Sequence, residues 1–293
     1  MLRRMFRWAV FLACVGLALF WWITRPVTVS ETELAGLTAS PEAGQQIFVA
    51  AGCASCHAAA DAKDEAKLVL TGGRAFPSPF GTFIAPNISQ DPDHGIGGWS
   101  LAQFVTAVIK GVGPRGQHYF PAFPYTTYAK MTPQDAVDLY AYIQSLPADA
   151  TPSQPHQVAF PFNIRRSIGG WKMLFMSEDW IVESTDTQVI RGRYLVEALG
   201  HCAECHTPRN AIGGLNLARW MEGAPDPSGK GRIPAITPAA LGWDASEVAE
   251  YLDTGFTPDF DTAGGHMVDV IENTSQLTPE DRAAIAAYLM VLE

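Results

Sequence analysis

Apolar positions fall into three kinds of run along the chain. The first is unbroken: residues 8–23 hold sixteen side chains without a charge, preceded by Arg3, Arg4 and Arg7 and closed by Arg25-Pro26. Such a run reads as a membrane-directed helix over about residues 6–24. Sixteen residues rise about 24 Å against a hydrocarbon core of roughly 30 Å, and Met5, Phe6 and the stems of Arg7 and Arg25 can cover the difference. Phe20-Trp21-Trp22-Ile23 stand where cleavage of a signal peptide would need small residues, so the segment is expected to be retained. The basic excess before it places the N-terminus in the cytoplasm and the rest of the chain outside, with Trp21 and Trp22 at the outer interface.

The second kind of run has helical period. Leu101, Phe104, Val105, Val108 and Ile109 follow a Ser100/Gln103 cap-box pair and stop at Gly111. Asp244 with Glu247 opens a matching helix, Ser40-Pro41-Glu42 opens an earlier one, and Trp99 and Trp243 precede their caps as hydrophobic staples. Thr132-Pro133 and Thr278-Pro279 start two more, with stripes Leu139, Tyr142, Ile143 and Ile285, Tyr288, Leu289. The predicted class is mainly α, with long Gly- and Pro-rich loops that a compact domain tolerates only if something else fills its core. The third run lies within residues 152–186, where Phe160, Phe162, Trp171, Leu174, Phe175 and Trp180 are too aromatic for a flexible linker. It is expected to pack across the domains, with Arg165 and Arg166 free to meet acidic groups.

Aligned by these patterns, the chain repeats. Cys53 maps on Cys202 at an offset of 149, Gly98-Trp99-Ser100 on Gly242-Trp243-Asp244 at 144, and residues 131–135 on 277–281 at 146. The predicted organisation is an anchor and linker (1–39), a first domain (40–150), a packed connecting segment (151–185) and a second domain (186–293).

Charge narrows the function. The net charge is −10, and the first 25 residues carry four arginines and no acid, which leaves 16 basic against 30 acidic side chains in the remainder. An acidic body speaks against a nucleic-acid partner.

Four of the five cysteines stand in Cys53-Ala54-Ser55-Cys56-His57 and Cys202-Ala203-Glu204-Cys205-His206, the attachment pentapeptide of c-type haem. Two thiols about one helical turn apart can each add to one vinyl group of the macrocycle, while the adjoining imidazole reaches the iron. Two covalently bound haem c groups are therefore expected, on Cys53, Cys56, Cys202 and Cys205, with His57 and His206 as iron ligands. A zinc site would need four ligands converging from both clusters, and a dithiol motif would not need the histidines. A haem also supplies the missing core. Cys14, in the middle of the apolar run, reads as a small membrane-helix residue rather than a lipidation site.

The sixth ligand sets what each iron does. In the second repeat Met267, in the flexible Gly264-Gly265-His266-Met267, can reach the iron from its loop. Its counterparts in the first repeat, Phe123 or Pro121 according to the offset, cannot bind iron. His118, a few residues upstream, is the expected substitute, with Met131 as the alternative, although Met131 aligns with Leu277 and could instead be a staple. Asn87 is a candidate contact to a haem propionate or a plain turn residue, and His94, His156 and His201 read as loop histidines.

Beyond the pentapeptides, the stretches 72–125, 160–165 and 200–210, with Gly72-Gly73-Arg74, Phe160-Pro161-Phe162-Asn163-Ile164-Arg165 and Gly200-His201-Cys202 among them, resemble the membrane-bound cytochrome c subunits of bacterial periplasmic dehydrogenases, those of quinoprotein alcohol and flavin-dependent sugar or gluconate dehydrogenases. The resemblance covers nearly everything after residue 40. It implies two tandem class I cytochrome c-like domains behind a single-pass anchor in the bacterial inner membrane, with the haem domains in the periplasm. It also implies electrons taken from a periplasmic dehydrogenase catalytic subunit and passed to a quinone, a soluble cytochrome or a terminal oxidase. That family typically carries three haems, whereas two pentapeptides occur here. No catalytic residue is expected. The rival reading is a dihaem enzyme of the peroxidase or thiosulfate dehydrogenase type that uses an unusual first haem.

Overall fold

The computed structural model describes residues 1–227, 229 and 231–293. Helix α1 (Leu2–Ile23) has no buried side chain, and it is long and apolar enough to cross a membrane. It ends at Thr24, which is buried and whose Oγ1 donates to the Phe20 carbonyl at 2.6 Å.

The first domain is built from α2 (Pro41–Ala50), α3 (Cys53–His57), α4 (Leu101–Lys110), α5 (Tyr125–Tyr128) and α6 (Pro133–Gln144), with a hairpin of β1 (Ala75–Ser78) and β2 (Gly81–Ile84). The caps read from the sequence are formed. Ser100 Oγ accepts from the Gln103 N–H at 3.3 Å, Gln103 Oε1 accepts from the Ser100 N–H at 2.9 Å, and Gly111 ends α4 in the left-handed region. Helices α2 and α6 cross at Gly44, where a β-carbon would collide with the Asp138 carbonyl. Ile47, Phe48, Val105, Val137 and Ile143 fill the space between these helices and α4.

The connecting segment packs on both domains. Strand β3 (Gln157–Val158) extends the hairpin beside β2, and α7 (Ser167–Phe175) lies against the end of α1. Asn87 secures the segment's start, its Nδ2 donating to the Asp149 and Thr151 carbonyls at 2.8 Å each; its amide is thereby spent on the backbone rather than on a propionate. Arg165 and Arg166 meet carbonyls and aromatic rings, not the acids expected for them: Arg165 donates to the His118 carbonyl and covers Phe120, and Arg166 covers Trp21. Trp171 Nε1 donates to the Ile212 carbonyl of the second domain at 2.9 Å.

The second domain repeats the plan with α8 (Thr187–Tyr194), which continues into a π-helical turn over Leu195–Leu199, then α9 (Ala203–His206), α10 (Pro238–Leu241), α11 (Ala245–Thr254), α12 (Met267–Thr274) and α13 (Pro279–Met290). A short hairpin joins β4 (Ala224–Pro225) and β5 (Arg232–Ile233). Gly192 meets the Ala284 carbonyl on α13 as Gly44 meets α6, so the two helix crossings are the same contact built twice.

Candidate functional site

Each pentapeptide follows a residue in the left-handed region, Gly52 (φ 59°) in the first domain and His201 (φ 42°) in the second. The turn aims the histidine back under the loop that follows. His57 Nδ1 is bonded to the Pro86 carbonyl at 2.9 Å, and His206 Nδ1 to the Pro234 carbonyl at 2.8 Å. Each fixes the tautomer and leaves Nε2 free as a lone-pair donor. Burial lowers the pKa of both rings, which keeps the lone pair available.

A following loop is also tied to the backbone of each histidine. Gly72 N–H donates to the His57 carbonyl at 2.7 Å, and Gly223 N–H donates to the His206 carbonyl at 2.7 Å. At Gly72 (φ +73°) a β-carbon would stand 2.5 Å from the Ala85 and Pro86 carbonyl oxygens, so only glycine lets this loop approach the histidine.

None of the four pentapeptide cysteines is in a disulfide. Among the described residues no three His, Cys, Asp or Glu side chains converge on a point that would hold a bare metal ion, which the zinc alternative requires.

The central feature of the arrangement is that the two pentapeptides face each other, each covered by the other domain. Asn273 on α12 donates to Ser55 Oγ at 2.7 Å, and Thr127 on α5 donates to Glu204 Oε1 at 3.3 Å. Ser55 and Glu204 occupy the same place in the two pentapeptides, as Thr127 and Asn273 do in the helices facing them. The interface therefore has pseudo-two-fold symmetry. Further bonds close it: Arg74 donates to the Ser55 carbonyl and pairs with Asp269 at 2.7 Å, Lys67 pairs with Glu272, and His201 Nε2 lies 3.3 Å from the Ala51 carbonyl.

At its edge lies a buried ion pair. Lys130 Nζ and Glu197 Oε2 are 2.8 Å apart, with side chains 8% and 0% exposed, and Glu197 also accepts from the Ile181 and Val182 N–H groups and the Tyr288 hydroxyl. Nothing local in the sequence marks Arg74, Lys130, Glu197 or Asp269. The offset of 149 does pair Ser55 with Glu204, and it could have singled that position out.

The candidate sixth ligands are differently placed. Met267 is half-buried at the start of α12 and packs against the core. His118 is turned to other work: its Nε2 is 2.9 Å from the Thr24 carbonyl and its Nδ1 is 3.3 Å from Lys172 Nζ, so both ring nitrogens are taken up at the junction with α1. Phe123 stacks edge-on with Tyr119, Tyr125 and Tyr128. Met131 is 3% exposed, three residues after Tyr128, whose hydroxyl donates to the Ala51 carbonyl beside the first pentapeptide.

The family model for cytochrome c matches residues 41–147 and again 189–293. This chain belongs to the cytochrome c family. The dihaem cytochrome c-type protein of Cereibacter sphaeroides is 56% identical over 269 residues, 92% of this chain and 91% of that protein. The cytochrome subunit of fructose dehydrogenase from Gluconobacter japonicus is 39% identical over 256 residues, 84% of this chain and 51% of that protein. The cytochrome c subunit of a quinone-dependent alcohol dehydrogenase from Gluconacetobacter polyoxogenes is 33% identical over 255 residues, 82% of this chain and 53% of that protein. The chain thus spans about half the length of these two dehydrogenase subunits and nearly all of the dihaem protein.

This cytochrome carries two haem c groups, one per domain. The donor set fits them: each domain offers two cysteines and an Nδ1-anchored imidazole, with Cys53 and Cys202 packed against the apolar core.

Proposed function

We propose that this cytochrome is a membrane-anchored dihaem relay, taking electrons from the catalytic subunit of a periplasmic dehydrogenase and handing them to a quinone, a soluble cytochrome or a terminal oxidase. The haems supply the one-electron chemistry when bound. The residues hold them: Cys53 and Cys56, and Cys202 and Cys205, form the thioether links, and His57 and His206 bind iron, oriented by Pro86 and Pro234. Met267 completes the second site. Met131 completes the first, since His118 is engaged elsewhere and Met131 is buried three residues after Tyr128, whose hydroxyl reaches the Ala51 carbonyl next to that pentapeptide. Helix α1 spans the bacterial inner membrane and keeps both domains on the periplasmic side.

The observation that carries the reading is the pair of facing pentapeptides. Asn273 reaches the first pentapeptide from the second domain and Thr127 reaches the second pentapeptide from the first, so an electron entering one domain has one shared interface to cross. Relatives named as cytochrome subunits of fructose and alcohol dehydrogenases point to the class of donor. With Met131 filling the first site, the feature that favoured a substrate-binding first haem loses its force.

Deletion of this chain from its host tests the role. Substrate-dependent oxygen uptake through the dehydrogenase should be lost, while reduction of an artificial dye by the catalytic subunit persists. Unchanged oxygen uptake would refute the relay.

A further inference from the structure

The connecting segment differs in chemistry from the rest of the chain. No Asp or Glu occurs between Asp149 and Glu178, a stretch of 28 residues that holds Arg165, Arg166 and Lys172, in a protein of net charge −10. Its large apolar side chains point outward: Phe160 is 78% exposed, Phe162 47%, Ile164 43%, Met173 64% and Leu174 70%. Ile212 of the second domain, 54% exposed and joined to Trp171 through its carbonyl, continues the patch.

This patch is fixed to the end of α1. Arg166 donates to the Trp21 carbonyl, its guanidinium lies 4.2 Å over the Trp21 ring, and its Nε donates to Thr24 Oγ1 at 2.8 Å. Gly169 on α7 sits so close to Thr24 that a β-carbon would stand 2.7 Å from its carbonyl oxygen, and Gly170 faces the Thr24 methyl group. Met173 and Leu174 follow these two glycines by four residues each, so they lie one turn further along the face of α7 that meets α1.

We propose that residues 160–174 rest in the outer interface of the bilayer that α1 crosses, with the exposed Phe, Ile, Met and Leu side chains at the acyl boundary. This rests on the reading of α1 as a spanning helix. The occupant is lipid because the patch is continuous with the emerging helix, because Arg166 reaches a full turn below Thr24 to Trp21, and because an acid-free surface of exposed aromatic and aliphatic side chains suits the acyl boundary. One helix alone would leave the haem domains free to swing. This second contact fixes their orientation over the membrane.

The test uses the full-length holoprotein in phosphatidylethanolamine/phosphatidylglycerol vesicles. Nitroxides are placed one at a time at Phe162→Cys, Leu174→Cys, Phe11→Cys in α1 and Ile190→Cys on the exposed second domain, in a Cys14→Ser background. Collision with oxygen is compared with collision with a water-soluble nickel chelate. The expected result is an oxygen preference several-fold higher at 162 and 174 than at 190, approaching that at 11. Water-like labels at 162 and 174 with a lipid-like label at 11 would overturn the surface contact and leave the spanning helix standing. A water-like label at 11 would overturn both.

Discussion

The Nδ1 bond of each pentapeptide histidine is the smallest unit of the account. A backbone carbonyl accepting from the ring raises the basicity of the far nitrogen and so favours the oxidised iron. Gly72→Ala should push the Pro86 carbonyl off His57 and raise the first haem's reduction potential without moving the second; a potentiometric titration reads both, and two unchanged potentials would count against the role given to Pro86. The methionines can be separated similarly. Met131→Ala and Met267→Ala should each remove about half of the near-infrared methionine-to-iron band, and the double variant all of it.

His118 makes a different prediction. Burial above all, with Lys172 and Arg166 adding to it, holds its pKa below the ordinary imidazole value, against the pull of the Thr24 carbonyl. Below about pH 6.5 the unfolded chain therefore binds a proton that the folded junction refuses, and stability falls as the pH drops toward the folded pKa. Thermal unfolding between pH 7 and 5 should show this loss, and His118→Gln should flatten it.

Among the elements, the two crossings at Gly44 and Gly192 are the tightest joints. A methyl group at either forces the helices apart, and Gly44→Ala or Gly192→Ala should each cost about 1–3 kcal/mol in denaturant unfolding. Much at this scale is legible in the sequence. The Ser100/Gln103 and Asp244/Glu247 boxes, the Thr-Pro caps and the repeat offsets are local signals, satisfied within four residues or by a second copy of the same pattern.

The contacts of His118 are not legible in the repeat. Repeat arithmetic assigns it by comparison with the second domain, but Thr24 and α7, which engage it, have no counterpart there. The interface is illegible for a different reason: Arg74 and Asp269 are 195 residues apart, Ser55 and Asn273 218, and neither pair has a signature before the domains meet. The pentapeptides themselves are read at once, because the covalent chemistry of one ligand dictates three residues at fixed spacing within five positions.

The whole molecule depends on the two domains staying face to face. Glu197 accepts from four donors at the joint, among them Lys130, which reaches it from the first domain. Glu197→Ala strands a buried ammonium and should cost roughly 3–5 kcal/mol, whereas Lys130→Met with Glu197→Gln should cost clearly less. Denaturant unfolding of the two variants beside the parent protein measures that difference.

The central claim is a closely spaced pair of six-coordinate haems working as one relay. A redox titration of the full-length protein followed by EPR tests it most directly. It should show two low-spin ferric centres, interacting with each other, that are reduced in two one-electron steps. A single centre, or a high-spin first haem with an open position, would contradict it.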